Sequence, residues 1–111
     1  MDTPENQLIS EIKKYVKFLD NQIDIEKIIL FGSYGKGNAT TESDIDVAII
    51  SPQLGKAPLL EKMKLFEWRY DANILIDIQP VPIGLHEYEL SSSFFIQEIK
   101  DTGIDITRDV C

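Results

Sequence analysis

The sequence predicts an α+β domain in which a small sheet and its flanking helices form two layers. Two patterns point there. Apolar residues recur at helical spacing in three segments and gather into short β-branched runs between them. Glycine and proline fall at the joints: Gly32 after the first run, Pro52 after the second, Pro80 and Pro82 after the third. With 111 residues, the chain is expected to be a single domain, 1–111, with one core and no room for a second substrate domain.

The elements follow in order. Thr3-Pro4-Glu5 has the make-up of a helix start: an N-capping hydroxyl, a proline in the first turn and an acid near the positive end of the dipole. Leu8, Ile9, Ile12, Tyr15, Val16 and Leu19 then repeat at helical spacing, so a helix is predicted from Pro4 to about Leu19. Glu26 to Phe31 reads as a buried strand closed by Gly32, and Asp44 to Ile50 as a second, stopped at Ser51-Pro52. Ala57 to Tyr70 reads as a helix with Leu59, Leu60, Met63, Phe66 and Tyr70 on one face. Phe66, Trp68 and Tyr70 are expected in the core, with a partner interface as the alternative. Asn73 to Ile78 is predicted as a third strand ended by the prolines, and Ser93 to Thr102 as a last helix with Gly103 just beyond it. Ile104 to Thr107 has room for a short final strand.

The chain carries 11 basic against 19 acidic residues, a formal net charge of −8. Such a balance speaks against direct nucleic-acid binding, which calls for a basic face. No apolar run approaches a membrane span, and the N-terminus has no leader pattern. The one cysteine, Cys111, excludes an internal disulfide and a cysteine metal site, so a cytoplasmic location is expected. The one histidine, His86, is expected at the surface or in packing.

The segment FGSYGKGNATTESDIDVAII, Phe31 to Ile50, carries the chemistry. Asp44 and Asp46 lie two apart on a strand, so both side chains leave from the same side, roughly 7 Å apart at their Cα atoms. Asp77 interrupts a third apolar run. A charge inside a buried strand is costly unless it is paired or binds a cation; the alternative is an edge charge facing water. Three carboxylates that converge would repel one another, and two divalent cations would reverse that. Oxygen ligands without His or Cys nearby suit magnesium or manganese rather than zinc. Two such ions can clamp the attacking and leaving oxygens of a displacement at phosphorus. Gly32 and Ser33, where a strand ends, offer backbone N–H groups and a hydroxyl to phosphate oxygens, and Lys36 adds a point charge.

These residues resemble a known family. Gly32-Ser33, then ten residues, then Asp44-Ile45-Asp46, with a later Asp77 between Ile76 and Ile78, is similar to the nucleotidyltransferase superfamily of polymerase-beta-like fold, and most of all to its minimal members. Their loop often reads Gly-Ser-x-Ala-Arg-Gly; here Gly35 stands for the alanine and Lys36 for the arginine, which keeps the charge but loses the bidentate fork. The likeness runs from about Ile23 through Phe94-Phe95-Ile96 and Gly103 to Ile104. It implies a small mixed β-sheet with flanking helices. It further implies ATP and two magnesium ions (manganese as the substitute), with AMP transferred to a hydroxyl acceptor as pyrophosphate leaves. By position Asp44, Asp46 and Asp77 would hold the metals, Asp77 would also take the acceptor's proton, and Gly32, Ser33 and Lys36 would hold the nucleotide's phosphates.

Small members of this kind are antitoxins paired with a HEPN-type ribonuclease, and several silence that partner by placing AMP on a tyrosine. Larger relatives that modify antibiotics carry a second domain. A protein acceptor is therefore the expectation here, in a hetero-oligomer with a HEPN-type toxin. Two other readings stay open on sequence: an antitoxin that neutralises by binding alone, and a nucleotidyltransferase for a small molecule. The first would show decay of the motif, yet all three carboxylates and the Gly-Ser pair are present.

Overall fold

The structure, a computed structural model, describes residues 4–32, 45–74 and 76–111. Helix α1, Pro4–Leu19, has the bounds that apolar spacing predicts. Leu8, Ile12, Tyr15, Val16 and Leu19 form its buried stripe. Strand β1 spans Lys27–Phe31 and pairs antiparallel with β2, Ile45–Ser51. Helix α2, Pro58–Asp71, crosses to β3, Ile78–Gly84, which runs parallel to β2. Then come α3 (Leu85–Leu90), α4 (Phe94–Thr102), β4 (Ile104–Asp105) and α5 (Thr107–Val110). Strand β4 pairs antiparallel with β1, so the sheet is mixed, in the order β3-β2-β1-β4.

Both faces of this sheet are covered. Ile28, Leu30, Val47, Ile49 and Ile78 pack against the stripe of α1, Leu65 of α2 and Val110 of α5. Ile29, Ala48, Ile50 and Ile83 point the other way and pack against Ile96 and Ile99 of α4. The two-layer expectation thus gains a second, smaller helical cover. Strand β2 is central, which is why Val47 to Ile50 form an unbroken buried run rather than an alternating one. Each fully buried isoleucine there contributes about 1.5–3 kcal/mol of transfer free energy. The Tyr15 hydroxyl donates to the Leu65 carbonyl at 2.6 Å and ties α1 to α2. Burial pushes the Tyr15 phenol well above its ordinary range, with Arg69 opposing. Among the described residues no helix is long and apolar enough to cross a membrane.

Two expectations are corrected. The third strand does not occupy Asn73 to Ile78 and is not ended by the prolines. It begins at Ile78 and contains Pro80 and Pro82. Ahead of it, Asn73 takes a left-handed φ of 56° after α2, a conformation asparagine tolerates better than most residues. In the described sheet β3 is an edge strand. An edge strand has one side that makes no ladder bonds, and residues two apart present their N–H positions to the same side, so such a strand can accommodate both prolines.

Helix α2 also buries a different strip. Leu65 is buried, and Glu61, Trp68 and Ala72, at helical spacing around it, are half-buried. Tyr70, expected in the core, is 86% exposed, and Leu59, Leu60 and Met63 are exposed as well. The helix packs on the β3 edge of the sheet, so only a narrow strip turns inward. Trp68 does pack against the core as expected. The short helices α3 and α5 had no sequence signal, and the final strand stops at Asp105 because Thr107 opens α5. Gly103 caps α4 in extended backbone, not the left-handed form, and is kept small by Ile29 Cγ2 and the Leu30 carbonyl.

Candidate active site

The site grows from the end of β1. Phe31 is the last residue of the strand, and its partner across the antiparallel pair is Asp46. Directly opposed residues share a face of the sheet, so Asp46 projects beside Phe31. The next residue, Gly32, turns with φ +66°. A β-carbon at Gly32 would collide with Oδ2 of Asp46 and lie 3.4 Å from its Cγ. The half-buried carboxylate therefore fills the space that the missing side chain leaves. Only glycine combines that backbone angle with that approach. This is a reason for glycine separate from the phosphate approach expected from the sequence: here the chain's own carboxylate comes against the backbone.

The face that Asp46 shares is aromatic on one side. Phe31 meets Phe95 of α4 edge to face, with ring centroids 5.8 Å apart and planes at 83°. Ser93 caps α4 by accepting from the Ile96 N–H at 3.3 Å, which fixes where that helix begins. On the other side Asp46 lies in register with Gln79 of β3.

Asp77 is placed differently from the expectation. It precedes β3 instead of sitting inside a buried strand, and its side chain is 68% exposed. The edge-charge alternative describes its exposure. It is nonetheless held: Arg69 Nη1 donates to its Oδ1 at 2.8 Å, and Gln79 Nε2 donates to the same oxygen at 2.9 Å. The same Arg69 nitrogen donates to the Ile78 carbonyl at 2.7 Å. Nothing in the sequence pattern points to Arg69 or Gln79 as partners of Asp77. Arg69 stands eight residues before Asp77 on another element, and no local pattern links the two.

Of the other candidates, Ser33, Lys36 and Asp44 lie outside the described residues. Among the described residues no group of three or more His, Cys, Asp or Glu is placed to hold a metal ion. Asp46, near the start of β2, and Asp77, just before β3, are the described pair. Their donor set is carboxylate oxygen, which fits a hard divalent cation such as magnesium or manganese. At Gly32 the Asp46 carboxylate lies beside a bare backbone. His86 is exposed on α3, as expected of a surface residue.

The family model of the nucleotidyltransferase domain matches residues 9–106, nearly the whole chain. The chain belongs to this family. The likeness to its minimal members, first carried by the Gly-Ser and Asp-x-Asp pattern, holds across the fold. This nucleotidyltransferase is 32% identical over 101 residues to a protein of Methanocaldococcus jannaschii that is provisionally named a protein adenylyltransferase; the alignment spans 90% of this chain and 96% of the relative. A second protein of that organism with the same provisional name is 36% identical over 64 residues, 54% of this chain and 64% of its own.

Among solved structures, a chain in a tyrosine-to-alanine variant of the toxin–antitoxin complex MntA–HpeT superimposes with a TM-score of 0.55 at 26% identity, over 85% of this nucleotidyltransferase and 69% of that chain. A chain of a toxin–antitoxin crystallised with AMP-PNP gives 0.57 at 23% identity, over 84% and 69%. A Sulfolobus solfataricus protein provisionally named a nucleotidyltransferase gives 0.64 at 15% identity, over 92% and 83%. The last two likenesses speak for the fold.

Proposed function

We propose that this minimal nucleotidyltransferase, a single domain over 1–111, transfers AMP from ATP to a hydroxyl of a partner protein, a tyrosine of a HEPN-type toxin. The observation that carries the reading is the Asp46 carboxylate seated on left-handed Gly32 at the end of β1, inside a chain of this family. The relatives support the finer choice. One is provisionally named for protein adenylyl transfer, and one structural neighbour is a toxin–antitoxin with an ATP analogue. An acidic chain, with net charge −8, would also suit a basic, RNA-cleaving partner.

In this reading Asp46 and Asp77, with Asp44, would hold magnesium, or manganese in its place. The cation would supply positive charge for the nucleotide's phosphates and the developing negative charge at the reacting phosphorus. The chain's own groups do the rest. Gly32 lets a phosphate oxygen approach the backbone, and Ser33 and Lys36 add a hydroxyl and an ammonium toward the β- and γ-phosphates. The acceptor oxygen bonds to the α-phosphorus as the bond from that phosphorus to the bridging oxygen breaks, and pyrophosphate leaves with that oxygen. The acceptor's proton passes to the Asp77 carboxylate, whose exposure leaves it within reach of a large acceptor.

The test is mass spectrometry of the partner after incubation with the protein, ATP and magnesium. One AMP or more on a tyrosine of the partner supports the reading. An unmodified partner that is still bound and silenced would replace it with neutralisation by contact.

A further inference from the structure

Asp77 is two-thirds exposed, and an exposed carboxylate on a strand end ordinarily samples several rotamers. Here it does not stand alone. Arg69 reaches it from α2, and the guanidinium nitrogen Nη1 is divided between Asp77 Oδ1 at 2.8 Å and the Ile78 carbonyl at 2.7 Å. One nitrogen thus grips both the carboxylate and the backbone immediately after it. Ile78 is the first residue of β3 and is paired with Ile45, the neighbour of Asp46. The grip therefore references Asp77 to the strand that carries Asp46.

The holder is steadier than what it holds. The Arg69 side chain is 26% exposed against 68% for Asp77. Its guanidinium lies 5.0 Å from the centroid of the Phe66 ring, and its helix is anchored through Leu65 and the Tyr15 hydroxyl. Gln79 adds a second donor to Oδ1 at 2.9 Å, and Gln79 is the residue in register with Asp46. Among the described residues both bonds fall on Oδ1. Oδ2 is the oxygen left for a cation or an acceptor's proton.

We infer that Arg69 is a positioning residue of the transfer site, which orients Asp77 by pinning Oδ1 and so presents Oδ2 to the cation and acceptor. The inference rests on the reading that Asp77 belongs to the site. A bare surface ion pair would have little consequence. A partner that fixes a ligand's orientation is worth about 10–100-fold in metal affinity or activity. The shared carbonyl bond sets the geometry, so lysine, with one compact ammonium, is a poor replacement.

The experiment titrates Mn²⁺ by electron paramagnetic resonance with AMP-PNP present, and measures AMP transfer and thermal unfolding beside it. The proteins are the wild type, Arg69→Met, Arg69→Lys, Asp77→Asn, the Arg69→Met/Asp77→Asn double variant and Asp46→Asn. Expected for Arg69→Met is a half-saturating Mn²⁺ concentration raised about 10-fold and kcat lowered by a similar factor, with KM for ATP within about twofold. The double variant should bind Mn²⁺ no worse than Asp77→Asn alone, since Arg69 acts through that carboxylate.

Should Arg69→Met unfold, Arg69→Lys carries the same reading: weakened Mn²⁺ binding at an unchanged Tm supports the proposal. Wild-type Mn²⁺ binding and kcat in a folded Arg69 variant would overturn it, as would additive losses in the double variant. Wild-type Mn²⁺ binding in Asp46→Asn would overturn the site assignment itself, and the proposal with it.

Discussion

The Asp46 carboxylate occupies the position where a side chain on Gly32 would begin. Strand β1 ends and the carboxylate of β2 closes over the turn, so a backbone conformation and a charged group are mutually dependent. The dependence explains why a glycine and an aspartate fourteen positions apart in sequence act as one feature.

Gly32→Ala is therefore expected to fail in two ways. Alanine at φ +66° costs about 1–2 kcal/mol of backbone strain, and its methyl must displace Asp46. Thermal unfolding should show the first cost, and AMP transfer should fall further than the lost stability accounts for. A variant with lowered Tm but undiminished transfer would show that the approach serves folding alone.

Asp46→Asn keeps the shape and removes the charge. The fold should survive, because the residue is half-buried at a strand end and the core clusters lie elsewhere. Transfer should drop more than about 100-fold, beyond what losing a mere supporting partner costs. Circular dichroism and a transfer assay on the same preparation decide it.

The two faces of α2 should respond unequally to truncation. Leu65 is fully buried, and Leu65→Ala should cost about 2–5 kcal/mol. Leu60 is exposed, and Leu60→Ala should stay within about 0.5 kcal/mol. Urea unfolding of both variants reads the difference directly.

Glu61 gives the fold a pH dependence. Burial raises its carboxyl pKa, but the N–H groups of Gly55, Ala57 and Lys56, with the Lys56 charge, outweigh burial and hold it below the ordinary 4.5. Those bonds are 2.8, 3.1 and 3.1 Å long and organise the turn before α2. A carboxyl lowered on folding contributes stability that is complete above its unfolded value and is lost as pH falls through the folded value. Asp105, also held low despite burial by Thr107 and Lys27, acts in the same direction. Stability should therefore be flat from about pH 5 to neutrality and decline below about pH 4.5. Glu61→Gln should be less stable at neutral pH and show a shallower acid decline in urea titrations.

Much of this was legible in the sequence. The helix from Pro4 to Leu19 was fixed by one periodic stripe, and β1 and β2 by β-branched runs bounded by Gly32 and Pro52. The third strand departs from its sequence pattern, since the apolar run beside Asp77 is the stronger signal and the strand itself holds two prolines. Whether proline breaks a strand depends on whether that strand is an edge, and edges are set by tertiary order. The exposed face of α2 departs from the pattern for a related reason: periodicity marks a helix, while its neighbours decide which strip is buried. Of the candidate site, spacing in the sequence points to Gly32 and Asp46, whereas Arg69 and Gln79 meet Asp77 only through the fold.

The most direct measurement uses ATP labelled at the α-phosphate in one sample and at the γ-phosphate in another. Each is incubated with magnesium, the protein and lysate of its native source, beside the Asp44→Asn/Asp46→Asn variant. Label on a protein band from the α-position alone, absent with the variant, is the expected result and would reveal the acceptor. Label from the γ-position, or equal α-label with the variant, would contradict nucleotidyl transfer by these carboxylates.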